Sequence, residues 1–136
     1  MTVLLVDVAN VVGSRPDGWW RDRAGATARL LTRLARLSGR ELPGPDGAPV
    51  RIPEVVAVVE GKGKAAPAPD GVTVVRAEGI GDDTIADVAA RLAGEGTPLL
   101  AVTADRGLRA RLPDGVSVTG PGWLLARLDE AEADSA

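Results

Sequence analysis

The chain has 136 residues, 45% of them apolar and 26% charged, and a formal net charge of −3, which is the make-up of one ordinary globular domain able to form its own core. It contains no Cys and no His, which excludes disulfides, zinc fingers, a Cys nucleophile and any Ser-His-Asp triad. A metal bound here must be held by oxygen, which favours a hard ion such as Mg²⁺ or Mn²⁺.

Val3-Leu4-Leu5-Val6 is a continuous apolar run ended by Asp7, the pattern of a strand buried on both faces of a parallel sheet. The run is short and lacks a basic flank, so neither a signal peptide nor a membrane span is expected, and a cytoplasmic setting is. Residues 13–18 read as a loop. A helix is predicted from Trp19 to Leu37, with Trp20, Ala24, Thr27, Leu31 and Leu34 on its inner stripe and most arginines off it. Residues 39–53, rich in Gly and Pro, read as an exposed, flexible excursion.

Val55 to Val59 is a second strand, closed by Glu60 and followed by a flexible GKGK loop; Val72 to Val75 is a third. A helix is predicted from Asp82 or Asp83 to about Leu92, a fourth strand over Leu99–Thr103, and a short helix opened by Asp105. A weak fifth strand covers Val116–Val118. A last helix follows Pro121 and Gly122 to about Glu130, with a frayed end. Strands alternating with helices predict one domain over residues 1–136, a three-layer α/β/α sandwich around a mostly parallel sheet.

In such a sheet, ligands bind outside the C-terminal ends of the strands. Asp7, Glu60 and Asp105 lie at or just beyond strand ends, and Asp82 and Asp83 at a helix entry, so carboxylates gather at one edge. Clustered carboxylates repel, and a divalent cation compensates them. Each acid also has a plainer role: Asp82, Asp83 and Asp105 as helix-start residues, Glu60 as a loop residue. Asp7 is hardest to explain that way, because a charge after a buried strand needs a partner. Asn10 either faces the same pocket, orienting water or phosphate, or holds the turn after Asp7; Thr103 either bonds Asp105 or a phosphate, or is a structural strand residue. Asp87, four residues after Asp83, lies at the edge or on a solvated face.

Residues 1–64 carry ten Lys/Arg against seven Asp/Glu, and residues 65–136 carry six against twelve. Arg15, Arg21, Arg23, Lys62 and Lys64 lie in or beside loops leaving the same strand ends, where they can meet a phosphate backbone, and Arg106 lies closer to the acids. With Trp19, Trp20 and Trp123 the only aromatics, an RNA-recognition or cold-shock type of reader is disfavoured. The first strand leads into DVANVVG without a GxGxxG turn, which disfavours a Rossmann cofactor site. Ala9, two residues after Asp7, lacks the acid that a phosphohydrolase with an Asp nucleophile requires.

Taken together, LLVDVANVV, VVAVVEG, GDDTIADVAARL and AVTADRGLRARL resemble, in order, the four acidic motifs of the PIN-like nuclease superfamily, and within it the NYN group with the YacP-like proteins. The resemblance covers nearly the whole chain. It implies a PIN-like fold, catalytic roles for Asp7, Asn10, Asp82, Thr103 and Asp105, and metal ligation by Asp7, Glu60, Asp82 and Asp105, with Ile85 packing behind Asp82. The expected activity is Mg²⁺- or Mn²⁺-dependent endonucleolytic cleavage of RNA, with ribosome association among the partners of such proteins. Asp83 is an additional acid without an assigned role. The alternative is a catalytically silent RNA-binding or ribosome-associated module on the same fold. Both a monomer and a homodimer fit the sequence.

Overall fold

The computed structural model describes residues 1–135. In chain order its elements are β1 (Val3–Asp7), α1 (Val8–Val12), a 3₁₀ turn (Trp19–Arg21), α2 (Arg23–Ala35), β2 (Arg40–Pro43), β3 (Pro49–Ile52), β4 (Val55–Val59) and a second 3₁₀ segment (Gly61–Ala65). They continue with β5 (Val72–Arg76), α3 (Gly81–Gly94), β6 (Leu99–Val102), α4 (Arg106–Arg111), β7 (Ser117–Thr119) and α5 (Pro121–Ser135). Five strands form one sheet in the order β5-β4-β1-β6-β7, every neighbouring pair parallel. The chain first builds outward from β1 through β4 to β5, then crosses to the other side of β1 for β6 and β7. The switch point is the crevice between β1 and β6.

Strand side chains alternate between the two faces, and two separate cores result. Leu4 and Val6 of β1, Val55, Ala57 and Val59 of β4, and Leu100 and Val102 of β6 pack with Leu31 and Leu34 of α2 and Leu124 and Leu128 of α5. Val3 and Leu5, Val56 and Val58, and Leu99 point the other way, onto Ile85, Val88 and Ala89 of α3 and Leu108 of α4. Burying a leucine such as Leu31 or Leu34, both fully enclosed, contributes about 1.5–3 kcal/mol by transfer alone. The mostly parallel three-layer sandwich predicted from the alternation of elements is the observed architecture.

The structure corrects three local expectations. Trp19–Arg21 is a separate 3₁₀ turn and not the first turn of α2, because Asp22 accepts a hydrogen bond from the Gly25 amide (2.9 Å) and caps a new helix at Arg23. Trp20 therefore leaves the expected inner stripe and is exposed. The 39–53 stretch, read as an exposed excursion, is an antiparallel hairpin whose Leu42 and Ile52 are buried in the larger core. Trp123 of α5 donates its indole N–H to the Pro43 carbonyl (3.2 Å) and ties the hairpin down. The GKGK segment, read as a loop, is the 3₁₀ segment, with Gly63 buried against Thr27 of α2. The last helix runs past Glu130 to Ser135; Ala136, part of the end expected to fray, lies outside the described residues. Among the described residues, no helix is long and apolar enough to cross a membrane.

Candidate functional site

The same alternation that divides the core decides where the polar residues beyond it fall. In β1 the odd-numbered residues face α3 and α4, so Asp7 does too. In β4 the even-numbered residues take that face and lead to Glu60. In β6, Val102 pairs with Val6, which puts Thr103 beside Asp7. The sheet therefore turns Asp7, Glu60 and Thr103 toward one side, where α3 and α4 begin.

Around Asp7 the hydrogen bonding is dense. Its carboxylate is buried and accepts from the Thr103 hydroxyl (2.8 Å) and, as the cap of α1, from the Asn10 amide (3.4 Å). The Thr103 oxygen in turn accepts from the Asp105 amide (3.2 Å), and the Thr103 carbonyl accepts from Arg109 Nε (2.8 Å). Asn10 Oδ1 accepts from the Ala104 amide (2.8 Å), so Asn10 clasps the segment leaving β6. Asp105 caps α4, its Oδ1 accepting from the Leu108 amide (2.8 Å). Burial raises the Asp7 carboxyl above its ordinary value. The Thr103 and Asn10 hydrogen bonds oppose that rise, and the nearby charges of Asp82 and Glu60 add to it.

The opposite flank is built from one contact. Glu60 reaches across to α3 and accepts from the Gly81 amide (2.5 Å), capping a helix whose own N-cap residue, Ile80, supplies no side-chain bond. A Cβ at Gly81 would stand 2.8 Å from Glu60 Oε2, so the approach depends on glycine. Asp82 and Asp83 occupy the first turn of α3, where carboxylates favour the helix dipole. Asp83 points to α4 and pairs with Arg111 (2.8 Å). Asp82 has no hydrogen bond or ion pair among the described residues. Its carboxyl is raised by burial first, then by Asp105 and Glu60; Arg111 works against the rise, and Asp83 adds to it.

Glu60 thus acts on both Asp7 and Asp82, Asp82 acts on Asp7, and Asp105 acts on Asp82, with no cationic side chain bonded to Asp7 or Asp82 among the described residues. Among the described residues, no three carboxylates stand close enough to hold one ion directly. In kind, the donors fit a hard divalent cation: all are carboxylate oxygens, and two of the carboxyls are raised above their ordinary value, by burial first and by neighbouring acids in addition. Mg²⁺ keeps several waters in most protein sites, which suits a ring of acids wider than a closed cage.

The remaining candidates are spread along this edge and beyond it. Arg23 lies over the Trp19 ring (5.8 Å) and beside Gly61, lining a small cavity with Trp19, Val8, Val12 and Glu60. Arg21 lies over Trp20 (6.0 Å). Lys62 and Lys64 are in the 3₁₀ segment after Glu60, and Arg106 is exposed at the start of α4. Arg15 faces a different groove, with Arg29 and Arg33 between α1, α2 and α5. Asp87 is exposed and shares a shallow hollow with Asp83 and Arg76. Gly81, Arg109 and Arg111, which shape the site, were not among the sequence candidates. A glycine directly before paired acids at a helix start is the one local signal that pointed to the first of them.

The fold and this acidic edge define a parallel α/β sandwich with its polar groups at the topological switch point. The crystal structure of Rae1 (YacP) from Bacillus subtilis shares this fold, with a TM-score of 0.73 and 18% identity over 98% of this chain and 77% of that one. A point mutant of the same protein matches with a TM-score of 0.70 and 19% identity, covering 98% of this chain and 79% of that one. No protein-family model and no curated protein matches the chain.

Proposed function

We propose that this chain is a divalent-metal-dependent ribonuclease that hydrolyses RNA phosphodiester bonds endonucleolytically, using Mg²⁺ or Mn²⁺. The observation that carries the reading is that β1, β4, α3 and the entry to α4 bring Asp7, Glu60, Asp82 and Asp105 to one edge of the sheet, with no cationic side chain bonded to Asp7 or Asp82 among the described residues. The order of the four acidic motifs, which resembles the NYN group, and the fold shared with Rae1 (YacP) support the same assignment. RNA is the partner this reading requires, in a cytoplasmic and ribosome-associated setting.

In this scheme Asp7 and Asp82 would hold the ion, and Glu60 and Asp105 would bind it through water. The chemistry such an ion supplies when bound is activation of water and neutralisation of phosphate charge. Thr103 keeps the Asp7 carboxylate fixed. Asn10 acts as a positioning residue, since its side-chain oxygen is committed to Ala104. Arg106, Lys62 and Lys64 steer the phosphate backbone.

The test incubates purified protein with single-stranded and structured RNAs in Mn²⁺, Mg²⁺ or chelator, alongside Asp7→Asn. Cleavage by the wild type in either ion, abolished by chelator and by Asp7→Asn in a folded protein, is the expected result. Salt-sensitive RNA binding without turnover in either ion would instead establish the silent binding module.

A further inference from the structure

Trp20 is an aromatic side chain 54% exposed, on a turn that neighbours the acidic edge. Its position is built into the chain. Gly18 takes a left-handed conformation (φ 82°) to start the 3₁₀ turn, and Asp22 ends it by capping α2. Trp19 folds inward to line the cavity that Glu60 also lines, and Trp20 stands against it edge-on, with ring centroids 6.0 Å apart and planes at 87°. Each ring carries a guanidinium, Arg23 over Trp19 and Arg21 over Trp20, and neither arginine has an ion pair among the described residues. A continuous path therefore runs from Glu60 through Trp19 and Arg23 to Trp20 and Arg21.

We infer that Trp20, flanked by Arg21 and Arg23, is a base-stacking platform that holds single-stranded RNA beside the acidic edge. The inference rests on the ribonuclease reading for its choice of nucleic acid. A flat ring accepts any base through its π-face, and unpaired guanidiniums beside it meet the phosphates on either side. A duplex, whose bases are already stacked and whose grooves hide their faces, gains nothing from such a ring. A protein-docking surface would call for a contiguous apolar patch, whereas Trp20 is bordered in sequence by exposed Arg21 and Asp22.

The test measures anisotropy of a short labelled oligoadenylate and of a matched RNA duplex in chelator, so that nothing is cut, with the wild type and Trp20→Ala, Trp20→Phe and Trp20→Leu. Removing the ring is expected to weaken single-strand binding about tenfold, in keeping with the worth of one stacked base. Phe restores most of the binding and Leu does not, duplex binding stays level across all four proteins, and wild-type tryptophan emission is quenched by the single strand. Single-strand binding by Trp20→Ala within about twofold of the wild type, rescue by Leu as good as by Phe, or no RNA binding by the wild type would overturn the platform. Metal-dependent cleavage is scored separately. Cleavage with Trp20-independent binding rejects the platform alone, and Trp20-dependent binding without cleavage rejects the nuclease alone.

Discussion

The two flanks of the acidic edge are built in opposite ways. At the β1/β6 corner, Asp7, Asn10, Thr103, Ala104 and Asp105 are cross-bonded so that each polar group holds another. At the β4/α3 corner the polar contact is the bond from the Gly81 amide to Glu60, and among the described residues Asp82 has no hydrogen bond. One flank is a hydrogen-bonded frame around a buried carboxyl; the other presents a carboxylate with no hydrogen bond among the described residues.

The sharpest way to break this contrast is to cut the frame at its centre. Thr103→Val keeps the shape but removes the hydroxyl that serves both Asp7 and the Asp105 amide, and should cost about 1–3 kcal/mol. It should also raise the Asp7 carboxyl further, since the Thr103 bond is the strongest influence holding it down. Chemical denaturation of the variant checks the first effect; a loss well under about 1 kcal/mol would mean that the frame is looser than its geometry.

A smaller effect is expected from pH. The folded protein holds the Asp7 proton more tightly than the unfolded chain, whose value is near 3.8. That contribution to stability is complete below the unfolded value and is lost as pH rises through the raised folded one. In chelator, Asp7→Asn should therefore gain in melting temperature relative to the wild type as pH climbs from about 4 toward neutral. A difference that stays flat over that range would show that the buried charge is already compensated. The smallest effect belongs to the Asp83–Arg111 pair, whose side chains are 66% and 47% exposed. Arg111→Gln should change stability by no more than about 1 kcal/mol, and because Arg111 works against the raised Asp82 carboxyl, that group should rise further in the variant.

Much of this was legible in the sequence, for physical reasons that can be named. Uninterrupted runs such as Val3–Val6 and Val55–Val59 can be satisfied only by burial on both faces, so the parallel sheet followed from them. Asp7 and Glu60 stood out because they end those runs, Asp105 because it lies just past a strand, and Asp82 and Asp83 because they enter a helix. What stayed hidden depends on register and long-range contact. Nothing local to Glu60 says that it caps a helix 21 residues on, and nothing near Asn10 reveals a bond to Ala104. The hairpin at 40–52 was masked by its Gly and Pro content, because the burial of Leu42 and Ile52 is supplied by the core beneath them. Trp20 was misplaced because it keeps helical spacing with Ala24 and Thr27, although the Asp22 cap breaks the helix between them.

The central claim is that Asp82, which has no hydrogen bond among the described residues, and the hydrogen-bonded Asp7 together hold a divalent ion. Titration of Mn²⁺ into the wild type, Asp82→Asn and Asp83→Asn, followed by the loss of the free-ion electron paramagnetic resonance signal, addresses it most directly. The account predicts that Asp83→Asn binds Mn²⁺ as the wild type does and that Asp82→Asn loses at least about tenfold in affinity, or 1.4 kcal/mol. Unchanged binding by Asp82→Asn, or equal losses in the two variants, would contradict it.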